Sequence, residues 1–176
     1  RLFVGSEGTL GIITRITLKL HGIPEAISAA TCSFPSVKDA ADATIAAIQT
    51  GIPMARIELL DEVQVRAVNA YSKLTLPEKP LLLLEFHGTD AGVAEQVERF
   101  RAIADDYGAD DFQWAARAED RTRLWQARHD AYWAALALRP GWKGQSSDVC
   151  VPISRLAECI EATKKDIEEH GMIAPI

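Results

Sequence analysis

The feature that most constrains this chain is a change of hydrophobic period that occurs twice in succession. Residues 26–34 read as a strand. Pro35 and Ser36 then open a helix that Gly51 ends, with Ser36 and Asp39 in capping-box spacing and Asp standing where Glu or Gln is usual. Residues 55–60 read as a second strand, and Asp61 is placed to cap a helix over 62–72. A loop follows over 72–79, with Pro77 and Pro80 as its punctuation. The pattern then repeats as an apolar strand over 81–87, a helix over 90–107 and a short strand over 112–116. Beyond it come a long helix over 118–137, a loop around Arg139, Pro140 and Gly141, a strand over 146–151 and a helix over 153–169.

Strand–helix–strand, repeated once, is the order of a ferredoxin-like α+β unit: an antiparallel sheet with helices on one face. The further helix, strand and helix are expected to extend that sheet. Ahead of the repeat, residues 1–20 hold a Gly-containing turn and an alternating run, in which Ile16, Leu18 and Leu20 oppose Arg15, Thr17 and Lys19. Such alternation reads as a half-buried strand. Residues 21–25, with Gly22 and Pro24, read as a linker, so a boundary is expected between a segment 1–22 and a domain 23–176. The chain opens at Arg1 directly in a Gly-rich motif and stops at Met172 to Ile176, in what reads as the start of another strand. The expectation is a piece of a longer polypeptide.

Composition narrows the function classes. Hydrophobic residues make up 48% and charged residues 25%, a balance that builds a packed core rather than a disordered chain. The net charge of −6 argues against nucleic acid, because a phosphate binder carries a basic excess. No apolar run approaches the roughly 20 residues that span a bilayer. Cys32, Cys150 and Cys159 have no CxxC spacing, and an odd, sparse count reads as reduced thiols in an intracellular protein. Cytoplasmic or peripherally membrane-associated placement is therefore expected. Cys159 recurs with Leu156, Ile160, Thr163 and Ile167 at helical spacing, which reads as burial. Exposed sheet edges favour a homodimer without deciding it.

Three segments can carry chemistry. In Val4-Gly5-Ser6-Glu7-Gly8-Thr9-Leu10-Gly11, three glycines within seven residues allow a backbone to approach a ligand closely, or simply make a tight turn. No helix follows it, so it is not a Rossmann or P-loop fingerprint. In the second segment, Leu124, Trp125, Arg128, Tyr132 and Ala135 fall on one face of a helix. An arginine in an apolar stripe must be paired or must snorkel, and its fork matches a carboxylate. That carboxylate is either one of the chain's own acidic residues or an acid substrate. The third segment, residues 139–156, reads as turn, strand and helix start, and demands no catalysis by itself. His21, His87, His129 and His170 show no metal-ligand spacing.

Taken whole, LFVGSEGTLGIIT at residues 2–14 closely resembles the last conserved segment of the FAD-binding domain in the vanillyl-alcohol-oxidase-type flavoproteins. The stretches LWQARHDAYWAALALRPG and KGQSSDVCVPISRL resemble the substrate cap domain of the D-lactate dehydrogenase (cytochrome) group in that superfamily. The resemblance implies that Glu7, Gly8, Gly11 and Ile13 lie against FAD, that Arg128 holds the substrate carboxylate and that Tyr132 lines the substrate pocket. It implies a parent enzyme that oxidises a small D-2-hydroxy acid, D-lactate to pyruvate in the first instance. The electrons would pass to a cytochrome, a quinone or a flavoprotein. In related 2-hydroxyglutarate enzymes a lysine assists binding where this chain has Ser146, which favours a smaller acid here. A divalent metal and the catalytic base would come from a His-rich motif beyond Ile176. No metal ligand and no catalytic residue are therefore assigned within the chain, and these 176 residues alone are expected to be colourless and inactive. Glycolate oxidase flavin subunits and D-2-hydroxyglutarate dehydrogenases are the neighbouring alternatives. Alkyl-glycerone-phosphate synthase shares the fold without redox turnover. From another class, a non-catalytic ferredoxin-like ligand-sensing or oligomerisation module remains as a rival.

Overall fold

The computed structural model describes residues 2–115 and 117–176. Its regular part begins with β1 (Ala26–Ser33), α1 (Val37–Gln49), β2 (Met54–Leu60) and α2 (Glu62–Ser72). It continues with β3 (Leu81–Gly88), α3 (Asp90–Asp106) and β4 (Asp110–Ala115). Then come α4 (Ala118–His129), α5 (Ala131–Ala137) and, after a 3-10 turn at Ile153–Arg155, α6 (Leu156–Glu169). The strands form one antiparallel sheet in the order β2-β3-β1-β4, which is the ferredoxin-like order, with α2 inserted where that unit usually has a hairpin.

Local signals start the helices where the spacing places them. The Ser36 hydroxyl accepts the Asp39 amide at 3.1 Å, and Asp61 accepts the Gln64 amide at 2.7 Å. Thr89 does the same for Gly92 at 3.1 Å. Each such cap contributes about 1 kcal/mol by satisfying an amide that the helix cannot. Burial of Asp61 raises its pKa above the ordinary 3.8, and the hydrogen bonds it accepts oppose that shift.

The sheet has two unlike faces. Ala30, Cys32, Leu82, Leu84 and Phe86 point to the face covered by α1 and α3, where they meet Ala40, Ala43, Val97 and Phe100. Phe86 and Phe100 pack edge to face there, with ring centroids 6.1 Å apart. Because the strand period is two, the alternate residues Leu81, Leu83 and Glu85 must emerge on the other face. On that side Leu81 and Leu83 join Leu60, Val65 of α2 and Trp125 of α4. β3 is buried on both faces, which is why residues 81–84 are four consecutive leucines rather than an alternation.

Four expectations need correction. Residues 11–24 belong to no regular element, and Ile16, Leu18 and Leu20 are exposed. Alternation encodes a face but supplies no neighbour, and among the described residues no strand offers this run a ladder. The expected strand over 146–151 is likewise coil, with Val149 exposed, so the sheet stays four-stranded among the described residues. The helix expected over 118–137 is interrupted at Asp130. There the Asp130 carboxylate accepts from the Gln126 side chain at 3.0 Å, and the Gln64 side chain of α2 donates to the Ala131 carbonyl at 3.1 Å. The segment after the break therefore packs on α2, with Ala67, Val68 and Ala134 in one cluster. Finally, Cys159 is half-buried rather than enclosed, on a helix α6 that packs chiefly against α1.

Candidate functional site

The second face of the sheet carries a set of charges that the strand register brings together. On β2, Ile57 and Leu59 pack toward the α1 and α3 core, so Arg56 and Glu58 emerge on the opposite side. On β3, Glu85 and His87 emerge there too, Glu85 directly across from Arg56. Glu85 is 6% exposed on a central strand, and such a charge needs partners. It has two: His87 Nε2 at 2.7 Å and Arg56 Nε at 3.5 Å. The Arg56 guanidinium also lies 4.8 Å over the Trp125 ring of α4, a cation–π contact.

Arg128 stands one helical turn beyond Trp125, and its Nη2 donates to Glu58 Oε2 at 3.2 Å. The carboxylate it meets is thus one of the chain's own. Among the described residues the guanidinium is nevertheless only partly used, with a side chain 44% exposed and one N–H of its fork engaged. Arg128 also lies in the last turn of α4, where a cation is favoured by the helix dipole.

Tyr132 does not share a helix with Arg128, because the break at Asp130 lies between them. The single face expected for Leu124, Trp125, Arg128, Tyr132 and Ala135 is therefore divided. Tyr132 is half-exposed, stands edge-on to Trp133 with centroids 5.3 Å apart, and donates to the Gly144 carbonyl at 3.2 Å. It lines an open groove of about 670 Å³ together with Leu136, Arg139, Trp142, Ser146 and Met172. Arg139 covers the Trp142 ring at 4.7 Å along that groove.

The Gly-rich segment makes two successive turns, closed by Ser6 N–H to the Phe3 carbonyl at 3.2 Å and Thr9 N–H to the Ser6 carbonyl at 2.9 Å. Glu7 at φ 48° and Gly8 at φ 81° occupy the left-handed region that such turns require. Nothing lies within 4 Å of a Cβ placed at Gly8, and Ile13 is exposed. An open backbone turn beside exposed apolar side chains fits a planar ligand approached through main-chain atoms, which is the way the resemblance places FAD. Among the described residues, no group of three or more His, Cys, Asp or Glu side chains could hold a metal ion.

The sequence pattern singles out Arg128 and Tyr132 and reads His87 only as a histidine without metal-ligand spacing, whereas Arg56, Glu58 and Glu85 are not singled out. The available signal was charge at i and i+2 in two strands, Arg56 with Glu58 and Glu85 with His87, on the side opposite the apolar alternation.

Comparison with known proteins gives this geometry a context. The FAD linked oxidases, C-terminal domain, family matches residues 23–176. A probable mitochondrial D-lactate dehydrogenase of Danio rerio is 53% identical over 175 residues, which cover 99% of this chain and 35% of that protein. A mitochondrial D-lactate dehydrogenase (cytochrome) of Arabidopsis thaliana is 46% identical over 176 residues, covering 100% of this chain and 31% of that protein. The chain thus spans about a third of the length of the relatives it matches. A solved alkyldihydroxyacetonephosphate synthase superposes with a TM-score of 0.67 at 21% identity, covering 96% of this chain and 36% of that one, a likeness of fold alone. With the family matched across all but the first 22 residues, and the ferredoxin-like sheet in place, the chain belongs to the FAD linked oxidase C-terminal domain family.

Proposed function

We propose that this chain is the substrate-covering part of an FAD-dependent dehydrogenase that oxidises D-lactate or a similarly small D-2-hydroxy acid to the 2-oxo acid. Residues 1–22 belong to the flavin-binding side and residues 23–176 to the cap. The observation that carries the reading is Arg128: a half-exposed guanidinium at the end of α4, anchored through one N–H and, among the described residues, unengaged along the rest of its fork. Such a group binds and orients a substrate carboxylate. Tyr132 forms a wall of a groove that also carries Ser146, Arg139 and Lys143.

Oxidation of D-lactate removes a hydride from C2 and a proton from the hydroxyl. FAD, when bound, supplies the two-electron acceptor, and Glu7, Gly8, Gly11 and Ile13 are the residues of this chain that would lie against it. Arg128 holds the carboxylate. A cytochrome-type acceptor and a mitochondrial setting follow the names of the relatives. Among the described residues, no helix is long and apolar enough to cross a membrane.

The test is turnover of D-lactate, L-lactate, glycolate and D-2-hydroxyglutarate with a dye acceptor, in the full-length protein that carries this chain. A D-lactate preference is expected, with Arg128→Met losing about 2–4 kcal/mol of transition-state binding. An Arg128→Met variant that matches wild type would remove Arg128 from the site.

A further inference from the structure

We propose that Glu58 is the positioning residue for Arg128: it never touches the substrate, and it sets the direction in which the guanidinium presents its free edge. The inference rests on the carboxylate role given to Arg128 above. The register of β2 aims Glu58 at α4, since its neighbours Ile57 and Leu59 are committed to the opposite core. Two residues back, Arg56 lies over Trp125. The strand therefore holds the helix at two successive rungs, Arg56 with Trp125 and Glu58 with Arg128.

The charges on this face are divided between the rungs. Arg56 pairs with Glu85, which His87 also contacts, and Arg128 pairs with Glu58. Among the described residues, Glu58 is thus the carboxylate that meets the Arg128 guanidinium, and it does so through Nη2. An arginine without such an anchor samples many rotamers and must be ordered at the moment of binding. A carboxylate on a strand removes that cost beforehand while leaving the remaining N–H groups for the incoming acid.

The prediction is specific to binding. In the full-length, flavin-loaded protein, Glu58→Ala should raise KM for the best-turned-over acid about tenfold, the cost of ordering one arginine, with kcat within about twofold. Glu58→Gln, which keeps an acceptor oxygen but not the charge, should fall between wild type and Glu58→Ala, and it serves if the alanine variant does not fold. In an Arg128→Met background, Glu58→Ala should add nothing further to KM, because the two residues act as one unit. An unchanged KM in Glu58→Ala would show the pair to be structural only. A lowered KM would show Glu58 competing with the substrate for Arg128. Additive effects in the double variant would place Glu58 in some other role. Each of these three results overturns the inference. If Arg128→Met raises KM and Glu58→Ala does not, this inference alone fails; if Arg128→Met itself leaves KM unchanged, the carboxylate role of Arg128 fails and takes this one with it.

Discussion

The Tyr132 hydroxyl donates to the Gly144 carbonyl at 3.2 Å, and a Cβ added at Gly144 would lie 2.7 Å from Leu136 Cδ2, so the loop after α5 rests directly on the helix that precedes it. Gly144→Ala must push Leu136 aside. The clashing atom is the far end of a half-buried side chain, which can turn away, so the expected loss is modest, about 1 kcal/mol. Tyr132→Phe removes the hydroxyl and should cost a similar amount, about 0.5–1.5 kcal/mol. Hydrogen exchange over residues 139–148 should quicken in both variants. Unchanged protection there would mean the loop is held by other contacts.

Arg56 and Glu85 should respond unequally to replacement. Arg56 is half-exposed, so Glu85→Leu leaves a cation that water can solvate. Arg56→Met strips a partner from a carboxylate that is 6% exposed, leaving His87 as its ion partner among the described residues. Leaving a buried charged group short of partners costs about 1–3 kcal/mol. Urea titration should therefore rank Arg56→Met as the more damaging of the two. The reverse order would mean that His87 alone satisfies Glu85.

Asp61 gives a pH dependence whose sign is fixed by its raised pKa. The folded state holds the Asp61 proton more tightly than the unfolded chain does at 3.8, so the stability it contributes is fully present below 3.8 and is lost as pH rises through the folded value. Asp61→Asn keeps a capping oxygen without the buried charge. It should equal or exceed wild type in thermal stability at pH 7, with the difference vanishing toward pH 3.8. Asp61→Ala, which loses the cap, should cost about 0.5–2 kcal/mol below pH 3.8 and less as pH rises through the folded value. A neutral-pH stability loss in Asp61→Asn would count against burial as the dominant influence.

The three thiols should differ in reactivity. Cys150 is exposed and Cys159 half-buried, whereas Cys32 is enclosed, its pKa pushed by burial from the ordinary 9.0 to about 12. Nearby Asp105, Asp110 and Asp111 add to that rise. Iodoacetamide at pH 8 should label Cys150 first, Cys159 more slowly and Cys32 only after unfolding. The same shift means that the stability Cys32 contributes is lost as pH climbs from 9.0 to about 12, because only the unfolded thiol ionises across that interval. Early labelling of Cys32 would show that the α1 and α3 face opens readily.

Much of the fold was legible in the sequence because its signals are local. Ser36 and Asp61 mark helix starts by side-chain chemistry that acts within three residues, and the structure places both caps there. The double strand–helix–strand order then restricts the sheet to few arrangements. What was not legible depends on partners distant in sequence. The alternation at Ile16, Leu18 and Leu20 cannot say which ladder it needs. The break at Asp130 depends on Gln64, 67 residues from Ala131. Arg128 stood out as a cation in an apolar stripe, but its partner Glu58 is 70 residues away and announces itself only once β2 and α4 are packed together.

The interruption at Asp130 uncouples the residues on either side of it. In one continuous helix, Arg128 and Tyr132 would move as a single rod, and any shift at one would be passed to the other. Here Arg128 answers to β2, whereas Tyr132 answers to α2 and to the loop carrying Gly144. Substitutions along the Tyr132 groove can therefore reshape that surface while the Arg128–Glu58 pair stays put, so the two halves of this helical stretch are free to drift apart in sequence without disturbing each other.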